Sequence, residues 1–332
     1  LSSTQLIEIA QEETDPKYGC APQSRNIKQI LDYGLIPLDK TEGPTSHEVV
    51  AWVRRVLKVK KAGHSGTLDP PATGLLPIGL GEATKALSVL LLGPKEYVAV
   101  ARLHDPVDDA SLKRVIKEFT GEIFQRPPQR SSVKRVTRTR TIYELEVLEQ
   151  QGRLLILRVN CESGTYVRKL VYDIGEVFGC GATMVELRRT KVSNLSEKEG
   201  FVRLHELADA CYDYEKGDDS KLKKMILPIE YGMKTIPSIV IRDSAVGAIC
   251  NGAKLAIPGI LKISGNIAKG DVIGIYTLKG EIVALAQASM NSAEIKSQQK
   301  GIAAEPNRVI MKQGTYPKMW KSKPKEEVSK LK

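Results

Sequence analysis

The run GHSGTLDPPATG, Gly63 to Gly74, constrains this chain more than any other stretch. Pro70 fixes its own φ and pushes the residue before it, Asp69, toward extended backbone. Gly63, Gly66 and Gly74 let the chain bend and leave room for close approach by a ligand. The product is a stiff turn with one carboxylate at its tip, in a chain whose 50 Lys and Arg outnumber its 39 Asp and Glu. Two readings of Asp69 follow. Either it is an Asx-turn former that caps its own backbone, or it is an acid aimed outward at a ligand.

The net charge of +11 favours a polyanionic partner without naming one. Aromatic residues are only 5% of the chain, too few for a platform that stacks single-stranded bases. Contacts to backbone and shape are therefore expected to dominate. With 332 residues, 42% of them hydrophobic, the chain can bury a sizeable core and has room for about two domains. Cys20, Cys161, Cys180, Cys211 and Cys250 are scattered without a CxxC pair, and the histidines are only His47, His64, His104 and His205. No zinc site is legible, and neither a metal nor another cofactor is expected. Dispersed thiols fit a reducing compartment. The longest apolar run, around Ala86 to Leu92, is too short to span a bilayer, so no membrane partner is expected.

Residues 1–28 are polar and irregular and read as an arm that gains order by docking, on the side of the C-terminal domain. Thr45 and Glu48 form a T-x-x-E capping box ahead of a helix with Val49, Trp52, Val53 and Val56 on one face. Tyr97 to Leu103 alternates as a strand. Asp105, Asp108 and Asp109, beside His104, could suggest magnesium, but an Asp just before the amphipathic run SLKRVIKEF is better read as an N-cap. Strands are expected at Thr141 to Leu148 and Arg153 to Asn160, joined at Gln151 and Gly152. A helix with Val167, Leu170, Val171 and Ile174 inward follows Gly164, then a strand from Met184 to Val192. Hairpins mixed with helices, without regular βαβ repeats, predict an α+β fold with a mixed, mainly antiparallel sheet over residues 29–235. From 236 to 316 short strands divided by glycines predict a small β-barrel, and 317–332 reads as a mobile basic tail.

The strings LDKTEGPTSHEVVAWVRR and KAGHSGTLDPPATGLLPIGLGEATKAL resemble the catalytic core of the TruB/dyskerin family of pseudouridine synthases. DPKYGCAPQSRNIKQILDYGLIPLDK and DSAVGAICNGAKLAIPGI resemble the guide-RNA-dependent, H/ACA branch of that family. The resemblance runs from about Tyr18 to about Trp320, and the C-terminal strands resemble a PUA domain. One departure is Pro71, where the family more often has another residue; it stiffens the loop without touching the acid.

The resemblance implies an isomerase that converts uridine to pseudouridine in ribosomal RNA, and also in transfer RNA, with Asp69 as its carboxylate. Its implied partners are an H/ACA guide RNA, the substrate RNA, a Nop-type small subunit, a Gar-type subunit and a kink-turn protein held through the RNA. A cytoplasmic location is expected for an archaeal chain, a nucleolar one for a eukaryotic chain. Arg168 is implied to pair with Asp69. It also has an argument of its own, because a cation in the first turn of a helix calls for an anion nearby. Otherwise it is a solvated arginine. Tyr97 is implied to stack on the extruded uracil and to handle protons, and Leu187 to pack on the same base; either fits an ordinary strand position as well.

His64 is expected to contact RNA or the loop backbone, not to act as a base. Lys40 and Lys61 are candidates for phosphate contacts or are merely solvated. Arg126, Arg130, Arg138 and Arg140 lie in QRPPQRSSVKRVTRTRT, read as an extended loop that clamps substrate RNA, the family's thumb loop, or as a solvated run. In the PUA-like part, Asn251, Gly252, Lys254, Pro258 and Gly259 are implied to hold the ACA end of the guide; the plain alternative is a helix end and turn. A stand-alone transfer-RNA enzyme is the rival function. A non-catalytic RNA scaffold is another.

Overall fold

In a computed structural model of the chain, residues 6–127, 134 and 136–318 are described here. They divide into two compact units, 26–235 and a second made of residues 6–25 together with 236–318.

The larger unit is built on a ten-stranded sheet, counted among the described residues. Its strands run in the order 227–228, 34–40, 73–80, 182–192, 95–103, 154–161, 138–151 and 121–125, with 62–64 paired to 73–80 and 195–196 to 182–192. Neighbours are antiparallel except where Thr73 and Gly74 meet Arg188 and Arg189. At that junction Gly74 has φ +97°, and a Cβ there would stand 2.3 Å from the Arg189 carbonyl oxygen. Only glycine lets these two strands approach so closely.

Helices cover the sheet where the sequence periodicity places them. The helix Ser46–Val56 starts at the Thr45–Glu48 capping box, with both reciprocal bonds present, and buries Val49 and Val53. Val167–Val177 buries Val167, Leu170, Val171 and Ile174. Asp108 caps the helix Asp109–Glu118 through Ser111 N–H at 2.9 Å, while His104 bonds Thr183. Asp108 thus serves a helix end, and among the described residues no group of three or more metal-binding side chains is gathered anywhere.

Two apolar cores fill this unit. One gathers Leu103, Leu157, Leu170 and Ile174, the other Ile36, Val53, Leu76 and Leu207, and Tyr97 and Leu187 pack against both. The strand starting at Arg138 begins three residues before the predicted Thr141, so Arg138 and Arg140 belong to the sheet and not to a loop. Arg130 lies outside the described residues, as does the tail from residue 319.

In the smaller unit seven strands, counted among the described residues, form a mixed, curled sheet, ordered 6–8, 260–264, 238–241, 272–276, 282–288, 302–309 and 255–256. Its core includes Ile239, Ile263, Ile275, Val283 and Tyr316. The N-terminal segment is sewn onto this sheet. Leu6–Glu8 pairs with Lys262–Ser264, Thr14 Oγ1 and Asp15 N–H donate to the buried Asp243 carboxylate, and Lys279 donates to the carbonyls of Asp15 and Tyr18. The segment has no core of its own; these bonds and Tyr18, packed on the core near Tyr316, supply its order. No helix among the described residues is long and apolar enough to cross a membrane.

Candidate active site

Asp69 and Arg168 meet. Arg168 Nη2 is 2.8 Å from Asp69 Oδ2, and both side chains remain more than half exposed. A residue-by-residue scaffold holds each partner. Ser46, the first residue of its helix and fully buried, accepts from Leu68 N–H at 2.9 Å and donates to Leu68 C=O at 3.0 Å. Ala72 N–H returns to Asp69 C=O at 3.0 Å, and Gly43 N–H to Pro70 C=O at 3.0 Å. The loop is thereby fixed on both sides of the acid, as preorganised catalysis requires.

Lys40 completes that scaffold and corrects its expected role. It is 1% exposed, and its ammonium donates to the carbonyls of Thr41 at 2.9 Å, Pro70 at 3.0 Å and Ala72 at 2.9 Å. Three donors on three carbonyls leave none for a phosphate. Burial lowers the Lys40 pKa, and the charges of Asp69 and Glu42 counter that only in part. Lys61, by contrast, is exposed.

On the other side, the helix that carries Arg168 has no side-chain cap of its own. Gln125, 2% exposed in the strand Gly121–Gln125, instead grips the residue before that helix: it accepts from Tyr166 N–H at 3.0 Å and donates to Tyr166 C=O at 3.2 Å. Gln125 was not singled out in the sequence. Its signal was available, because in GEIFQ it alternates with exposed residues on the face of Ile123.

Tyr97 lies opposite Arg189 and Val159 across its two neighbouring strands, and Leu187 lies opposite Ala99. The Leu187 strand lies beside the one that leaves the Asp69 loop, Thr73 and Gly74 pairing with Arg188 and Arg189. Burial raises the Tyr97 phenol pKa, and the neighbouring Arg189 guanidinium works against that rise. His64 makes an edge-on contact with His47, ring centroids 5.1 Å apart, and its Nδ1 accepts Gly66 N–H at 3.3 Å. Burial, His47 and Arg189 all lower the His64 pKa. A neutral imidazole bonded to its own loop suits a positioning role.

The basic residues separate into two kinds. Arg126 and Arg138 are exposed. Arg140 is not free: its guanidinium lies 3.5 Å from Glu162 Oε1 and donates to Thr139 C=O at 2.8 Å. In the smaller unit Asn251 closes the helix Asp243–Cys250, with its amide donating to Gly247 C=O at 2.8 Å, and Gly252 follows at φ +85° with open space around it. Lys254 pairs with Glu305 at 2.6 Å, and Pro258 is exposed beside the half-buried Gly259.

Family models match this chain almost end to end. Residues 54–167 match the N-terminal domain of TruB family pseudouridylate synthase, 168–234 the C-terminal domain of tRNA pseudouridylate synthase B, 237–310 the PUA domain, and 2–50 the DKCLD domain. A probable tRNA pseudouridine synthase B of Methanosarcina acetivorans is 51% identical over 311 residues, 93% of this chain and 92% of the relative. This chain belongs to the TruB family of pseudouridine synthases. The corresponding protein of Pyrobaculum aerophilum is 47% identical over 98% of both chains. Among solved structures, a chain of an H/ACA RNP bound to a substrate RNA containing 2'-deoxyuridine superposes with TM-score 0.90 at 44% identity, covering 95% of this chain and 97% of that one. A chain of a Cbf5-Nop10-Gar1 complex gives 0.91 at 45%, covering 95% and 96%. The TruB-family pseudouridine synthase is thus an RNA-modifying isomerase with an appended PUA domain.

Proposed function

We propose that this synthase is the catalytic subunit of an H/ACA-type ribonucleoprotein and isomerises uridine to pseudouridine, in ribosomal RNA and in transfer RNA, where a guide RNA presents the target. The observation that carries this is the near-complete likeness, arm and PUA domain included, to chains solved within such complexes. Its protein partners on this reading are the small Nop-type and Gar-type subunits, with a kink-turn protein held through the RNA. The genera of its relatives, Methanosarcina and Pyrobaculum, support work in an archaeal cytoplasm.

The reaction breaks the N1–C1' bond of uridine, turns the base and joins C5 to C1'; the C5 proton leaves and N1 gains one, so nothing is added overall. Asp69 supplies the carboxylate that acts as nucleophile or stabilises the sugar fragment. Arg168 holds that carboxylate beside a counter-charge. Tyr97 and Leu187 receive the base once it leaves its stack, an aromatic face offsetting part of the unstacking cost. Exposed Arg126 and Arg138 meet phosphates, and the turn from Asn251 to Gly259 receives the guide's ACA end.

The rival reading is a stand-alone enzyme on transfer RNA; the relatives' description as probable tRNA pseudouridine synthases is generic to the family and does not favour it. Measuring pseudouridine formation on transfer RNA and on a guide-matched ribosomal fragment, with and without guide RNA and accessory subunits, separates the two. The proposal expects the ribosomal fragment to react only with its guide. Equal reaction without guide would favour the second reading.

A further inference from the structure

Gly74 sits between two buried cations. In the sheet it pairs with Lys40 on one side and with Arg189 on the other, and both of those side chains are 1% exposed. Lys40 holds the Pro70 and Ala72 carbonyls. Arg189 takes two more from the same loop: Nε donates to Leu75 C=O at 2.8 Å and Nη2 to Gly66 C=O at 3.1 Å. The carbonyls of Gly66, Pro70, Ala72 and Leu75 are thus held by two charges that come from the strands on either side of the loop's exit.

The two cations grip different parts of the loop. Lys40, together with Ser46 on Leu68, fixes the inner residues 68–72 around Asp69. Arg189 instead joins Gly66, where the loop begins, to Leu75, where it has re-entered the sheet. A planar guanidinium presents its donors at fixed spacing and angle, so it sets the separation of the two carbonyls that it bridges. Burying a cation against neutral carbonyls is costly, and hydrogen-bonded groups buried in this way rigidify the segments that they join.

We infer that Arg189 is a positioning residue for the reaction: it clamps the two ends of the Asp69 loop together and so sets where Asp69 stands relative to Arg168. Arg168 comes from a helix outside the loop, so the 2.8 Å between Arg168 Nη2 and Asp69 Oδ2 depends on where the loop as a whole sits. The inner bonds keep the loop's shape, and the outer clamp keeps its place. Gly74 admits the clamp, since at φ +97° a Cβ would stand 2.3 Å from the Arg189 carbonyl oxygen and push that strand away. The inference rests on the reading of Asp69 as the reacting carboxylate.

Two measurements test this. In full-length protein without RNA, hydrogen exchange compares a loop peptide, 65–76, with a peptide from the strand Leu154–Cys161 of the same unit. Arg189→Gln should speed exchange in the loop at least about ten-fold and leave the strand as it is. Unchanged loop exchange, or equal acceleration of both peptides, overturns the proposal. In the complex assembled with guide RNA, the single-turnover rate of Arg189→Gln should fall at least about ten-fold, with substrate-RNA affinity within about two-fold of wild type. Because Arg189 acts through the Asp69–Arg168 pair, Arg189→Gln combined with Arg168→Lys should lose less than the product of the two single losses. A wild-type rate in Arg189→Gln, or losses that multiply in the double variant, overturns the proposal. Should Arg189→Gln not fold, Arg189→Lys enters the same comparisons, since it keeps the buried charge and loses the two-pronged geometry; loop exchange and rate should each change at least about three-fold, and wild-type values overturn the proposal. The exchange result needs no turnover, so a failed reading of the RNA-guided function would leave it decisive.

Discussion

The Lys40 ammonium donates to the Ala72 carbonyl at 2.9 Å, across 32 residues of chain, and to that of Pro70 from the same position. The loop that presents Asp69 is thus held from beneath by a buried charge. A basic residue that looks like a phosphate contact is part of the mount of Asp69.

Lys40→Met should therefore act on the loop and not on RNA affinity. It leaves carbonyls buried without donors, a loss of about 3 kcal/mol. The expected result is a clear drop in Tm and in single-turnover rate, with guide-RNA affinity within about two-fold of wild type. Thermal melts and filter binding check it; a selective loss of RNA affinity would restore the phosphate role.

Arg126→Ala and Arg138→Ala should each flatten the plot of log affinity against log salt for substrate RNA by about 0.7 to 0.9. Arg140→Ala should leave that slope unchanged, because its guanidinium is engaged with Glu162 and Thr139. Titrations at several salt concentrations distinguish the three variants.

Lys95 gives a pH signature. It is 5% exposed, donates to the carbonyls of Leu90, Leu91 and Gly93, and has its pKa lowered to about 8 by burial first and by Arg189 second. Unfolded, it titrates near 10.5. Between these values the unfolded chain binds the extra proton, so the Lys95 penalty is complete below about pH 8 and is relieved as pH rises. The Lys95 contribution to unfolding free energy should climb with a slope of no more than about 1.4 kcal/mol per pH unit in that window. Denaturant melts of wild type and Lys95→Met measure it, and an equal slope in both would contradict the assignment.

Local signals made much of this fold legible. The Thr45–Glu48 box, the Asp108 cap and the apolar stripe from Val167 to Ile174 each depend on residues within a few positions, and each element stands where those residues place it. The Asp69–Arg168 pair spans 99 residues and came from the family resemblance joined to the helix-dipole argument. Lys40 was misread because two of its three partners, Pro70 and Ala72, lie 30 and 32 residues away, and charge alone suggests solvent. Arg189 was passed over although Leu187, two residues earlier, was read as facing the base. Strand alternation puts the two on one face, and an arginine at an inward position was the missed signal. Arg140 was assigned to a loop because prolines precede it, whereas pairing with Gly121–Gln125 extends the strand back to Arg138.

The most direct test of the account is a single-turnover assay of Asp69→Asn in the complex assembled with guide RNA and accessory subunits. The substitution keeps the shape of the loop and removes the charge that faces Arg168. The account expects no pseudouridine above background, with guide-RNA affinity within a few-fold of wild type. Near-normal pseudouridine formation by Asp69→Asn would contradict it.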